Sequence, residues 1–170
     1  MSFTFVVTMG LHKIAGWEIE EDPFVLIGIH ASVEPYRMAF LINRHLKISF
    51  KREARDQDVN MQEYVAQFPV YLYEDVEHNV NLILVANHCK AQHKEVSSSG
   101  SLFDNEEPTV VKTTLIKEYR KVDYLIKIEK DAEHYPLEKL LKDIIEIPQV
   151  ISVYEIDYLS IKHSDNLIFE

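Results

Sequence analysis

The side chains of this chain that could do chemistry fall into three groups. The first joins two residues far apart in sequence, Arg37 and Asp123. Asp123 lies in the run Val122-Asp123-Tyr124-Leu125-Ile126-Lys127-Ile128, whose alternation predicts a strand with Val122, Tyr124, Ile126 and Ile128 on one face. A carboxylate within such a strand needs a partner, because an unpaired buried charge is very costly. Arg37 is the expected partner, with Tyr36 or Tyr119 as hydrogen-bonding neighbours. A structural ion pair is the first reading. The second is a ligand-carboxylate site built on the planar, bidentate guanidinium of Arg37.

The second group is His88, Cys89 and His93. Structural zinc takes four ligands, commonly from cysteine pairs, and no second pair follows, so no metal or other cofactor is expected. Cys89 as a nucleophile would need an activating environment that the sequence does not display. The third group, Asp104, Glu106 and Glu107, reads as a solvated charge run rather than a paired acid and base. His30 follows the first strand and His134 precedes the second helix. Neither has a serine or cysteine to activate, so no catalytic residue is assigned and an enzyme is the least favoured reading.

Phosphate and nucleic-acid chemistry are disfavoured for separate reasons. The four glycines, Gly10, Gly16, Gly28 and Gly100, are isolated, so neither a Walker-type loop nor GxGxxG is present. The glycine-rich anion loop of acylphosphatases has no counterpart after Ile29. The chain carries 28 acidic residues against 18 basic ones, a formal net charge of -10, which repels phosphate backbones. Its best basic cluster, Lys47, Lys51, Arg52 and Arg55, is diluted by Glu53, Asp56 and Asp58. Tyr124 and Tyr154 could offer rings to bases, but their flanking charges are mixed.

These groups must be positioned by elements that the patterning makes legible. Phe24 to Ile29 is a continuous apolar run after Pro23, too short for a helix, and reads as a buried strand. Ser32 is the expected N-cap of a helix from Val33 to Leu46, with Pro35 tolerated in its first turn. Val33, Tyr36, Met38, Phe40, Leu41, Ile42 and Leu46 make a stripe wide enough for a helix covered on most faces. Ile48 to Arg52 reads as a strand, and residues 66–86 as a hairpin turning at Glu74 to Asn79. Residues 88–108 are polar and end in a serine-rich and acidic stretch, which predicts a mobile loop. Pro136 opens a helix carrying Leu137, Leu140, Leu141, Ile144 and Ile145; Pro148 closes it, and Ile151 to Ile156 returns as a strand.

Strand-helix-strand thus occurs twice, at 24–52 and 121–157, around a hairpin. That predicts a single α+β domain over residues 1–170, a two-layer ferredoxin-like sandwich with a mostly antiparallel sheet and both helices on one face. At 170 residues a domain buries enough surface to fold without disulfide or metal, and the single Cys89 fits a reducing compartment. The N-terminus lacks a basic leader and a cleavage site, and no apolar run approaches the roughly 18–20 residues of a membrane span. A cytoplasmic location is the expectation, with no membrane partner.

Ile116, Glu118, Val122, Asp123 and Tyr124 resemble the naming motif of the IPExxxVDY family of small bacterial proteins, with Lys117 where that family has proline. Leu26-Ile27-Gly28-Ile29, Tyr36-Arg37, Phe40-Leu41 and Asn43 resemble its first strand and helix, and Asp165 to Phe169 its apolar C-terminal tail. The resemblance covers roughly residues 20–170. It implies a bacterial cytoplasmic protein of the Bacteroidetes group and carries no activity, cofactor or catalytic residue with it.

The candidate structural or ligand-pairing residues are therefore Arg37, Asp123, Tyr124 and Glu118. The tail residues Leu167, Ile168 and Phe169 should dock on their own domain or, failing that, occupy a groove on another chain. The function expected is a non-catalytic binding or protein-interaction module, with self-association through a sheet edge or the tail as one form of it. The alternative is a small-molecule-sensing domain of ferredoxin-like type, its ligand held between the first helix and the 121–157 unit.

Overall fold

A computed structural model describes residues 23–61, 64–93 and 109–169. In chain order it contains β1 (Val25–Ala31), α1 (Pro35–Leu46), β2 (Lys51–Arg52), β3 (Gln57–Asn60), β4 (Val65–Phe68), β5 (Val70–Asp75) and β6 (Val80–Ala86). There follow β7 (His88–His93), β8 (Thr109–Thr114), β9 (Tyr124–Lys130), α2 (Leu137–Ile145) and β10 (Val150–Ile156). Six strands form one sheet in the order β10-β1-β9-β6-β5-β2, with every neighbouring pair antiparallel. β3 pairs with β4 and β7 with β8 in two small ribbons. Among the described residues no helix is long and apolar enough to cross a membrane.

Both helices lie on one face of the sheet. Met38, Ala39, Leu41 and Ile42 of α1 and Leu140 and Ile144 of α2 share a core with Ile27, Ile29, Leu82, Leu84, Ile126 and Ile128. The opposite face is also covered. Leu26, Ile83, Val85 and Leu125 of the sheet pack with Phe68, Ala91, Leu115, Ile116 and Leu167. The expected two-layer sandwich thus carries a further layer, built from the small ribbons, the segment before β9 and the C-terminal tail. The near-continuous apolar runs of β1 and β9 have that meaning, since a strand with one wet face would alternate. Val122 departs from its expected position: it stands before β9, on the face opposite to Tyr124 and Ile126.

Gly28 is closely packed by two side chains. A Cβ there would come within 2.8 Å of Ile156 Cδ1 and 3.3 Å of Val122 Cγ2, so β1 leaves room for both side chains.

Three local expectations are corrected. The cap of α1 is Glu34, not Ser32, and the helix starts at Pro35. A residue preceding proline is pushed into extended backbone, and Glu34 takes φ -71° and ψ 153°, so a helix cannot run through it. Nor is α1 covered on most faces, because Tyr36 is 68% exposed and Phe40 58%. Finally, His88–His93 forms β7 against β8 where a mobile loop was expected; residues 94–108 lie outside the described ones. Cross-strand pairing to Thr109–Thr114 overrides the polar composition of this stretch.

Candidate functional site

The segment leading into β9 is held by a residue that the sequence reading overlooked. Asn87, between β6 and β7, is fully buried. Its side-chain amide donates to the carbonyls of Tyr119 (2.9 Å) and Val122 (3.0 Å), and its Oδ1 accepts from the Ile116 amide at 2.9 Å. Its backbone donates to the Asp123 carbonyl at 2.8 Å and accepts from the Leu115 amide at 2.9 Å. One amide side chain therefore serves three backbone groups of a non-repetitive segment, of which the Tyr119 carbonyl also accepts from the Val122 amide at 2.9 Å. The available signal was a lone amide closing the apolar run Val80 to Ala86.

That clamp places Asp123. Its amide donates to the Ile29 carbonyl at 3.0 Å, and its Oδ2 accepts from the Ala31 amide at 3.0 Å. Ala31 is where the register between β1 and β10 shifts, so the carboxylate takes up an amide at an irregularity in the ladder. The expected ion pair with Arg37 is not formed among the described residues. The need for a partner is met by backbone instead, and Arg37 remains exposed on the first turn of α1. Tyr36 points largely to solvent, and the Tyr119 hydroxyl hydrogen-bonds Ser160 Oγ at 2.8 Å, so neither serves Asp123 as expected.

Tyr124 lies next to Asp123 and is buried, its hydroxyl donating to the Val33 carbonyl. Burial raises its pKa strongly, and the negative charges of Glu34 and Asp123 push in the same direction. Glu118 does different work at the surface. Its Oε1 accepts from the Lys162 amide at 3.0 Å, and that bond, followed by one from its own amide, lowers its pKa.

The tail is docked by the same segment. Asn166 donates to the Leu115 carbonyl at 3.0 Å, Leu167 is buried in the second core, and Phe169 packs against it; Ile168 stays partly exposed. Lys127, buried on β9, donates to the Leu167 carbonyl at 2.8 Å and pairs with Glu129 at 2.5 Å. Its ammonium also sits 4.7 Å from the Phe24 ring centroid and 5.8 Å from that of Phe169.

Arg37 and Asp123, though unpaired, line one cavity of about 410 Å³ at the start of α1. Glu34, Lys112, His88 and Tyr124 contribute to the same walls. His88 Nδ1 is 3.2 Å from Thr114 Oγ1. Its pKa is lowered first by burial and then by the Lys112 charge, while Asp123 and a backbone contact to Arg120 oppose the shift. Lys112 is exposed, and neither it nor Arg37 has an ion-pair partner among the described residues.

The other candidate groups are not brought together. Cys89 is half-buried, and burial pushes its thiol pKa up, which disfavours a nucleophilic thiolate. Among the described residues no group of three or more His, Cys, Asp and Glu side chains could hold a metal ion. His30 instead contacts Tyr154, with Nε2 3.2 Å from the hydroxyl and the rings stacked at 5.8 Å. No family model matches the chain, and no curated protein or solved structure shows significant similarity to it.

Proposed function

We propose that the protein is a non-catalytic binding module that holds a small molecule in the cavity between the first turn of α1 and the Asp123–Tyr124 end of β9. The observation that carries this reading is the presence of Arg37 and Lys112, without ion-pair partners among the described residues, in the walls of a cavity of about 410 Å³, within the range of small-molecule sites. Three of the groups there that could take part in proton transfer are already engaged. Asp123 accepts from the Ala31 amide, the Tyr124 hydroxyl donates to Val33, and His88 contacts Thr114. That pattern favours holding a ligand over transforming it.

The finer fold assignment belongs to the same proposal. The order β10-β1-β9-β6, with α1 and α2 on one face, supports a ferredoxin-like core to which β5 and β2 are added at one edge. The resemblance of the segment from Ile116 to Tyr124 to the IPExxxVDY motif supports membership of that family and a cytoplasmic setting. Here the motif's Glu118 and Asp123 accept from the Lys162 and Ala31 amides, which supports a structural role for charged residues at this junction.

A thermal-shift screen of a metabolite library tests the function. A ligand present at 100 times its Kd adds about 2.7 kcal/mol, which raises Tm by about 5–10 °C in a domain of this size. At least one compound should do this for the unaltered protein and lose most of the effect with Arg37→Ala. A library without a single hit removes the proposal.

A further inference from the structure

The charges around the cavity are mixed in a way that narrows the ligand. Arg37 and Lys112 are basic, and Glu34 and Asp123 are acidic. Among the described residues no ion pair links any of the four to another. Glu34 occupies the N-cap position of α1, yet its carboxylate makes no capping hydrogen bond. Its charge complements the helix dipole, and its oxygens stay free of the helix's own amides. The acids share a neighbourhood, since the charges of Glu34 and Asp123 both act on the Tyr124 hydroxyl. Lys112 acts on His88, which also feels Asp123. Acid and base are thus set around one open space without neutralising each other.

A simple anion entering this space would meet two carboxylates, and a simple cation would meet a guanidinium and an ammonium. A nucleic-acid backbone is disfavoured by the same acids. Resting on the binding-module reading above, we infer that the ligand is a small zwitterion of free amino-acid size, its carboxylate held by Arg37 and Lys112 and its ammonium by Glu34 and Asp123. Arginine suits the first task because its planar fork matches a carboxylate with two parallel hydrogen bonds. The exposed ring of Tyr36, also in the cavity wall, provides a surface for the ligand's organic portion.

The test is isothermal titration calorimetry of the full chain with each of the protein amino acids, followed by the N-acetyl and C-terminal amide derivatives of the tightest binder. At least one free amino acid should bind, and blocking either end should weaken it by about tenfold or more, the usual scale for one charge-assisted contact. Arg37→Ala and Glu34→Gln should each weaken binding by about tenfold. Both side chains are exposed, so the unliganded Tm should hardly move. Lys112→Ala provides a third, independent variant on the carboxylate side.

Equal binding of the N-acetyl derivative would make this an anion site, and equal binding of the amide a cation site. Either result overturns the inference, as does affinity that survives all three substitutions. If no amino acid binds while another metabolite shifts Tm in an Arg37-dependent way, the zwitterion is wrong and the binding module stands. If neither set gives a ligand, both fall.

Discussion

Replacing Asn87 with alanine should be among the most damaging single changes in the described part of the protein. The substitution removes three side-chain hydrogen bonds and leaves the Ile116 amide and the Val122 carbonyl without their side-chain partner, while the Tyr119 carbonyl keeps the Val122 amide. Ile116 and Val122 are almost fully buried, so water cannot readily replace the lost amide. Each buried backbone group left unsatisfied costs about 1–3 kcal/mol. The Tyr119 carbonyl, partly buried and still bonded to the Val122 amide, adds little, giving a total loss of about 2–6 kcal/mol for the other two groups. That is a large part of the 5–15 kcal/mol typical of a folded domain. Urea unfolding followed by far-UV circular dichroism would measure it as a fall in midpoint at constant m. Asn87→Asp separates hydrogen bonding from packing. It keeps the shape and the acceptor but turns a negative oxygen toward two carbonyls, and should destabilise at least as much as alanine. Losses below about 1 kcal/mol for both variants would refute the clamp. So would amide exchange at Leu115, Ile116 and Asp123 that stays as slow as in the unaltered protein.

Other expectations follow from the same contacts. Lys127→Met keeps the apolar stem but removes the cation shared by Glu129, the Leu167 carbonyl and two rings; hydrogen exchange over 164–169 should accelerate, and unchanged exchange would show that the tail docks without it. Gly28→Ala forces Ile156 Cδ1 to move from a 2.8 Å approach and should cost about 1–2 kcal/mol, read as a Tm drop of about 2–8 °C; an unchanged Tm would show that the side chain yields freely. For His88, burial lowers the folded-state pKa below the unfolded value of about 6.5, so the unfolded chain binds more protons between the two. The contribution of this residue is therefore complete above about pH 6.5 and is lost as pH falls through that value toward the folded pKa. His88→Gln should flatten this part of the stability-pH curve, and identical curves for both proteins would contradict it. Glu118 behaves in the same sense at lower pH: its lowered pKa gives stability above the ordinary carboxylate range that is lost on acidification through the folded pKa, and Glu118→Gln should remove that dependence from the stability-pH curve.

What the sequence determined by itself was local and periodic. The helical spacing from Leu137 to Ile145 closed by Pro148 and the hairpin of β5 and β6 follow from side-chain pattern and backbone restriction, and they appear where the residues place them. The start of α1 is equally legible, since Pro35 disfavours a helical Glu34 and that restriction outweighs the capping propensity of Ser32. Tertiary structure alone decided the rest. The polar stretch His88–His93 becomes a strand only because Thr109–Thr114 pairs with it. Asp123 satisfies its charge with the Ala31 amide, across 92 positions of sequence, although Arg37 lies at the same cavity. Its choice depends on where a strand irregularity leaves a donor, and residue type carries no record of that. Asn87 is subject to the same limit. An amide is an ordinary residue in any pattern until folding surrounds it with backbone groups that need a partner.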